Sequence, residues 1–144
     1  MRALTGLLVV SGRLRQRLED ACAPAGLSHH QYNTLRILRG AGEAGRTRGE
    51  VAARLIDRAP DVTRLLDRLA QRGLVQRHRG RKDRRTSRAR LTPEGAAALA
   101  RVDEAIREVR REFFAGLSAE EMAQLSGVLE LLVEPPSESP STRG

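Results

Sequence analysis

Apolar residues recur at helical spacing from Val62 to Leu69, and after Gly73 they recur at the spacing of a strand. Val62, Leu65, Leu66 and Leu69 fall on one side of a helix. Pro60 suits the first turn of that helix, where its missing N–H costs nothing, and Gly73 closes it as a C-terminal glycine. Leu74 to His78 then reads as a strand, Gly80 to Ser87 as a polar turn, and Arg88 to Leu91 as the returning strand. A shorter helix precedes this unit, Gly49 to Ile56, with Val51, Ala52 and Leu55 inward. Between the two helices Asp57–Ala59 leaves room only for a tight turn. The pair makes a helix-turn-helix, and the hairpin adds a wing. The expected fold is mainly α: a winged helix-turn-helix with a two-stranded β-wing.

Charge singles out the same stretch. From Arg46 to Arg90 the chain places fifteen Lys and Arg residues against five acids, a net +10, while the remainder holds eleven against thirteen. Concentrated positive charge suits a polyanion, because each neutralised phosphate releases condensed counterions. The bland alternative is a solvated charged face. On the second helix Thr63, Arg64 and Arg68 share an outward face, with Arg72 one turn on. Arginine pairs bidentately with guanine, and threonine offers a methyl to thymine or a hydroxyl to phosphate. Arg77, Arg79, Arg81, Lys82, Arg84, Arg85, Arg88 and Arg90 crowd the hairpin. So many like charges repel one another unless the hairpin lies along a phosphate backbone, its tip in a minor groove. The DNA-binding candidates are therefore Thr63, Arg64, Arg68 and Arg72 on the helix, and Arg79, Arg81, Lys82, Arg84 and Arg85 on the wing.

Aromatic residues are scarce (Tyr32, Phe113 and Phe114), so Leu, Val, Ile and Ala must fill the core, which favours helices. A helix is expected over Arg2–Ala21, striped by Leu4, Leu7, Leu8, Leu14 and Leu18. A second follows a Ser28/Gln31 capping box and carries Leu35, Ile37 and Leu38. Thr92 and Pro93 open a long helix whose Leu99, Val102, Ile106, Val109 and Phe113 form a coiled-coil type of seam. Ser118 and Glu121 box a last helix through Leu132. At 144 residues this is one domain, expected over 1–134, with a DNA-binding lobe at about 46–91, dimerisation helices at about 2–21 and 93–133, and a disordered Pro/Ser-rich tail from Pro135. The two flanking stripes are either a dimer interface or closure of a monomer core.

The run Asp61-Val62-Thr63-Arg64-Leu65-Leu66-Asp67-Arg68-Leu69, then Arg72-Gly73-Leu74-Val75, Asp83-Arg84-Arg85 and Leu91-Thr92-Pro93-Glu94-Gly95, resembles the MarR family of bacterial transcription regulators. Gln31-Tyr32 after Ser28 is similar to the start of that family's second helix. The resemblance implies a homodimer of winged helices on a near-palindromic operator, a repressor released by a small aromatic or acidic effector. It implies Thr63, Arg64 and Arg68 in the major groove, Arg81, Lys82 and Arg84 on the wing, Asp83 orienting Arg84, and an Asp67–Arg85 ion pair bracing helix against wing. One departure is Ala59 before Pro60, where the family often has serine; alanine caps poorly, costing ~1 kcal/mol.

Other residues are less telling. Arg13 and Arg17 on the first helix, with His29 and Tyr32, form a candidate ligand set; the two arginines read equally as solvent charges. His29 and His30 point apart and make a poor chelate, so no metal is expected. The lone Cys22 excludes an intramolecular disulfide and reads as a structural or bystander cysteine, with a peroxide-sensing thiol as the alternative. There is no catalytic set and no cofactor motif. No apolar run approaches the ~20 residues that span a bilayer, and the chain is expected in the cytoplasm. Two functions remain: a sequence-specific regulator, or a winged-helix interaction module that binds a protein partner or DNA without specificity.

Overall fold

The structure, a computed structural model, describes residues 2–56, 61–79 and 86–133. Its helices are α1 (Arg2–Cys22), α2 (His29–Arg39), α3 (Arg48–Ala52), α4 (Val62–Gln71), α5 (Pro93–Phe113) and α6 (Ala119–Val133). Its strands are β1 (Arg46–Thr47), β2 (Val75–Arg79) and β3 (Ser87–Leu91). The chain is mainly helical with a small sheet, a winged helix-turn-helix. The expected turn at Asp57–Ala59, Pro60, the wing tip at Arg81, Lys82, Asp83, Arg84 and Arg85, and the tail from Pro135 lie outside the described residues.

Side-chain caps set the helix starts. Ser28 Oγ accepts from the Gln31 amide at 3.1 Å, while Gln31 Oε1 accepts from the Ser28 amide at 3.0 Å. Ser118 and Glu121 repeat the device before α6. A third box, Thr47 with Glu50, opens α3. α4 is capped by Asp61, whose Oδ1 accepts from the Arg64 amide at 3.0 Å; Ala59, where the sequence suggested a weak cap, lies outside the described residues. α3 stops at Ala52, well short of Ile56. A tight bond from the Arg54 amide to the Val51 carbonyl turns the chain there, and Ile56 is exposed.

The sheet has three strands, not two, in the order β1-β3-β2, all antiparallel. Arg46 and Thr47 pair with Ala89 and Arg88. Two residues are too few to show an alternating pattern. Gly45 makes the approach possible. Its backbone (φ 61°, ψ −170°) lies in a region that belongs almost wholly to glycine.

Two compact units are present, Met1–Val109 and Arg110–Gly144. In the first, Leu35 and Leu38 of α2, Val51 of α3, Leu66 and Leu69 of α4, and Leu99 and Val102 of α5 are fully buried. Each contributes roughly 2 kcal/mol by leaving water. The first two positions of the α5 seam thus belong to the chain's own core. Leu4, Leu7 and Leu8 of α1 are about half exposed or more. In the second unit the Phe113 and Phe114 rings meet edge to face at 5.2 Å, and Leu131, Leu132 and Val133 of α6 are exposed. Among the described residues no helix is long and apolar enough to cross a membrane.

Candidate nucleic-acid interface

α4 turns Leu66 and Leu69 into the core, which leaves Arg64 and Arg68 exposed on the opposite side and Thr63 half-buried beside the sheet. The Arg64 Nε sits 3.2 Å from Asp61 Oδ2, so one carboxylate both caps the helix and orients its first outward arginine. Arg79 is exposed at the end of β2.

Between α4, β1 and the wing strands lies an open cleft of about 410 Å³, whose lining includes Arg46, Arg48, Thr63, Arg77, Thr86 and Arg88. The Nε of Arg46 is buried there without a hydrogen-bond partner among the described residues. Of these arginines, Arg46 and Arg48 did not stand out in the sequence. What brings them to the cleft is the short strand β1 and the Thr47/Glu50 box.

The hairpin's charges are partly answered from within the chain, a correction to the expectation that only a phosphate backbone relieves them. Arg77 Nη2 lies 2.9 Å from Asp67 Oδ1 and reaches the Thr63 carbonyl at 3.5 Å. Asp67 therefore braces helix against wing through Arg77; the Arg85 foreseen as its partner lies outside the described residues. Arg88 donates to the carbonyls of Ala44 and Gly45 and to Glu50 Oε2. The Thr47 amide, and behind it the Arg88 charge, hold the Glu50 carboxyl below its usual range. Arg90 binds Glu43 at 2.7 Å and Gln76 at 2.8 Å.

Arg72 also sits differently from the expectation. α4 ends at Gln71, and Arg72, its C-cap, donates from Nη1 to the Gly26 carbonyl at 2.6 Å and from Nη2 to the Ala25 carbonyl at 3.3 Å. The helix ends one residue before Arg72.

The candidate ligand set is only partly brought together. The His29 and Tyr32 rings stack with centroids 6.2 Å apart. Tyr32 is buried, however, and its hydroxyl donates to Asp103 Oδ1 at 2.9 Å, while Arg39 holds the other oxygen at 2.5 Å. That hydroxyl is a strut between α2 and α5. Arg13 is exposed on α1 and Arg17 half-buried. Among the described residues no group of His, Cys, Asp or Glu could hold a metal. Cys22 is fully buried, and burial, with Glu19 nearby, raises its thiol to about 11, as a structural cysteine requires.

Burial, then the bond to Asp103, raises the Tyr32 phenol from 10.0 to about 12. A raised phenol keeps its proton longer in the folded chain. Its contribution to stability is complete below pH 10.0 and is lost as pH climbs towards about 12. Asp103 has the opposite sign. Burial opposes its ionisation, but the bonds from Arg39 and Tyr32 outweigh that, so its contribution is lost as pH falls below the ordinary carboxylate range. Tyr32 is the only tyrosine and there is no tryptophan, so phenolate absorbance reads it directly. The folded protein should half-ionise near 12 and the urea-unfolded chain near 10.0; a native midpoint at the unfolded value would refute the strut.

The structure is similar to the crystal structure of a MarR transcription factor from Planctomyces limnophilus, at 35% sequence identity and a TM-score of 0.70, covering 90% of this chain and 94% of that one. The chain belongs to the MarR family. A MarR family model also matches residues 25–86. MarR from E. coli, solved as a cysteine-to-serine mutant with operator DNA, is similar at 26% identity and a TM-score of 0.81, over 93% of this chain and 95% of that one. A protein from Thauera aromatica described as a transcriptional regulatory protein for the hcr operon is 29% identical over 128 residues, 88% of this chain and 75% of its own length. This MarR-family chain is a transcription regulator with a winged-helix DNA-binding fold, not an enzyme.

Proposed function

We propose that the protein is a homodimeric, sequence-specific repressor that acts in the cytoplasm and leaves its operator when a small aromatic or acidic effector binds. Thr63, Arg64 and Arg68 enter the major groove, and Arg79 with the wing-tip residues Arg81, Lys82, Arg84 and Arg85 follows the backbone and minor groove. The observation that carries this reading is the outward face of α4, exposed beside a cleft lined by four arginines. The likeness to an E. coli protein solved on operator DNA supports it. The exposed apolar residues of α1 and of α6, each on its own unit, supply surface for a second copy. Such a dimer sets two α4 helices about 34 Å apart, one turn of DNA.

The test compares binding to the DNA upstream of the chain's own gene with binding to a scrambled duplex of equal length. The specific duplex should win by ~10³ or more, and affinity should fall steeply with salt. A ratio near one would instead favour the interaction module. On the same duplex, candidate aromatic acids are screened for release.

Asp67 supplies a test by sign. Removing a carboxylate close to phosphates should tighten binding by Coulomb attraction alone, whereas losing the brace to Arg77 should loosen it. Asp67→Asn is expected to weaken operator binding a few-fold, about 1 kcal/mol, because a half-exposed ion pair contributes no more. Unchanged or tighter binding refutes the brace.

A further inference from the structure

Arg72 joins the end of α4 to the connector between α1 and α2. The connector is a 3₁₀ turn, Ala23–Ala25, closed by Gly26 at φ 65°. Turn ends leave carbonyls without partners, and a guanidinium answers them well because its planar fork carries two parallel donors. Both Gly26 and Ala25 offer their oxygens to the two Nη atoms of Arg72. Gly26 also leaves space for the fork: a Cβ there would lie 3.3 Å from Nη2. On the other side of the same junction, the Thr92 hydroxyl donates to the Gly73 carbonyl at 2.6 Å and the Thr92 amide to the Leu74 carbonyl at 3.2 Å. The C-terminal end of α4 is thus tied both to the root of α1 and to the start of α5.

We propose that Arg72 is a positioning residue that ties the α1–α2 connector to the recognition helix, and that it makes no contact with DNA. Two of its guanidinium N–H donors go to backbone carbonyls of the connector, so a displacement of the connector passes to α4. The inference rests on the reading that α4 enters the major groove.

The experiment uses the full chain, the duplex upstream of its gene and the scrambled duplex, over a range of salt. Arg72→Lys keeps the charge but loses the fork; Arg72→Gln loses the charge but keeps an amide donor. Positioning predicts that both variants lose operator affinity about tenfold, the scale of one charge-assisted hydrogen bond. Scrambled-duplex affinity and salt slope should stay at the parent values. A phosphate contact predicts otherwise: Arg72→Lys binds like the parent, while Arg72→Gln weakens on both duplexes with a slope shallower by ~0.9. That result overturns the proposal. So does a lowered melting temperature with an intact operator-to-scrambled ratio, which marks a role in stability alone, and so does no change in either. If the parent itself fails to discriminate the duplexes, the α4 reading falls and the positioning role with it, a failure distinct from parent discrimination that Arg72 variants leave untouched.

Discussion

Gly45→Ala is expected to unfold the root of the wing and to cost the protein about 3 kcal/mol or more, the sum of backbone strain and overpacking. Two effects coincide at this position. The backbone adopts φ 61° and ψ −170°, where a side chain is strained at roughly 1–3 kcal/mol. The added Cβ would also overlap the Ala89 carbonyl oxygen and come within 3.0 Å of His78 Cε1. Neither the strand carbonyl nor the turn can retreat cheaply, because Ala89 pairs with Arg46 and Arg88 donates to the Ala44 and Gly45 carbonyls. Gly95→Ala separates the two effects: its backbone carries no positive φ, but a Cβ would overlap the Leu74 carbonyl oxygen. It should destabilise through overlap alone, by roughly 1–3 kcal/mol. Thermal melting followed by circular dichroism reads both. A Gly45→Ala melting temperature within about 2 °C of the parent, less than 1 kcal/mol at this size, would refute the account of the β1 approach.

The second large effect belongs to α4. Arg64→Ala and Arg68→Ala should each weaken operator binding by about 1–3 kcal/mol and relax selectivity at their own base positions, the behaviour of a base-edge contact. The double variant should lose about a hundredfold or more. Arg79→Ala gives the contrast. As a backbone contact it should weaken specific and scrambled duplexes alike and reduce the salt slope by about 0.9. Competition binding against duplexes with one base pair changed at a time separates these outcomes. A double variant that keeps the parent's operator-to-scrambled ratio would remove α4 from the reading head.

Much of this was legible in the sequence because it is periodic or local. The 3–4 spacing of Val62, Leu65, Leu66 and Leu69, the Ser28/Gln31 and Ser118/Glu121 boxes, and the alternation at Arg88–Leu91 each specify an element without help from elsewhere. What escaped depends on distant partners. β1 exists only because Ala89 and Arg88 offer an edge forty residues away. Arg72 continues the Arg64–Arg68 stripe by spacing, yet the helix ends one residue before it and two carbonyls of the α1–α2 connector capture its side chain. Tyr32 looked available for a ligand because nothing in its neighbourhood in sequence announces Asp103. The Thr47/Glu50 box was readable by the same rule as the other two, and with it the anchoring of Arg88 could have been anticipated.

The three-stranded order has a bearing on solubility. β3 pairs with β2 along its whole length and with β1 at Arg88 and Ala89, so β2 carries the longest strand margin left unpaired among the described residues. Such a margin invites a neighbouring molecule to zip on and seed a fibre. Here it bears Arg77 and Arg79, and two molecules that approached margin to margin would bring these guanidinium groups together. The charge suited to nucleic acid thereby also disfavours pairing between the strands of separate molecules.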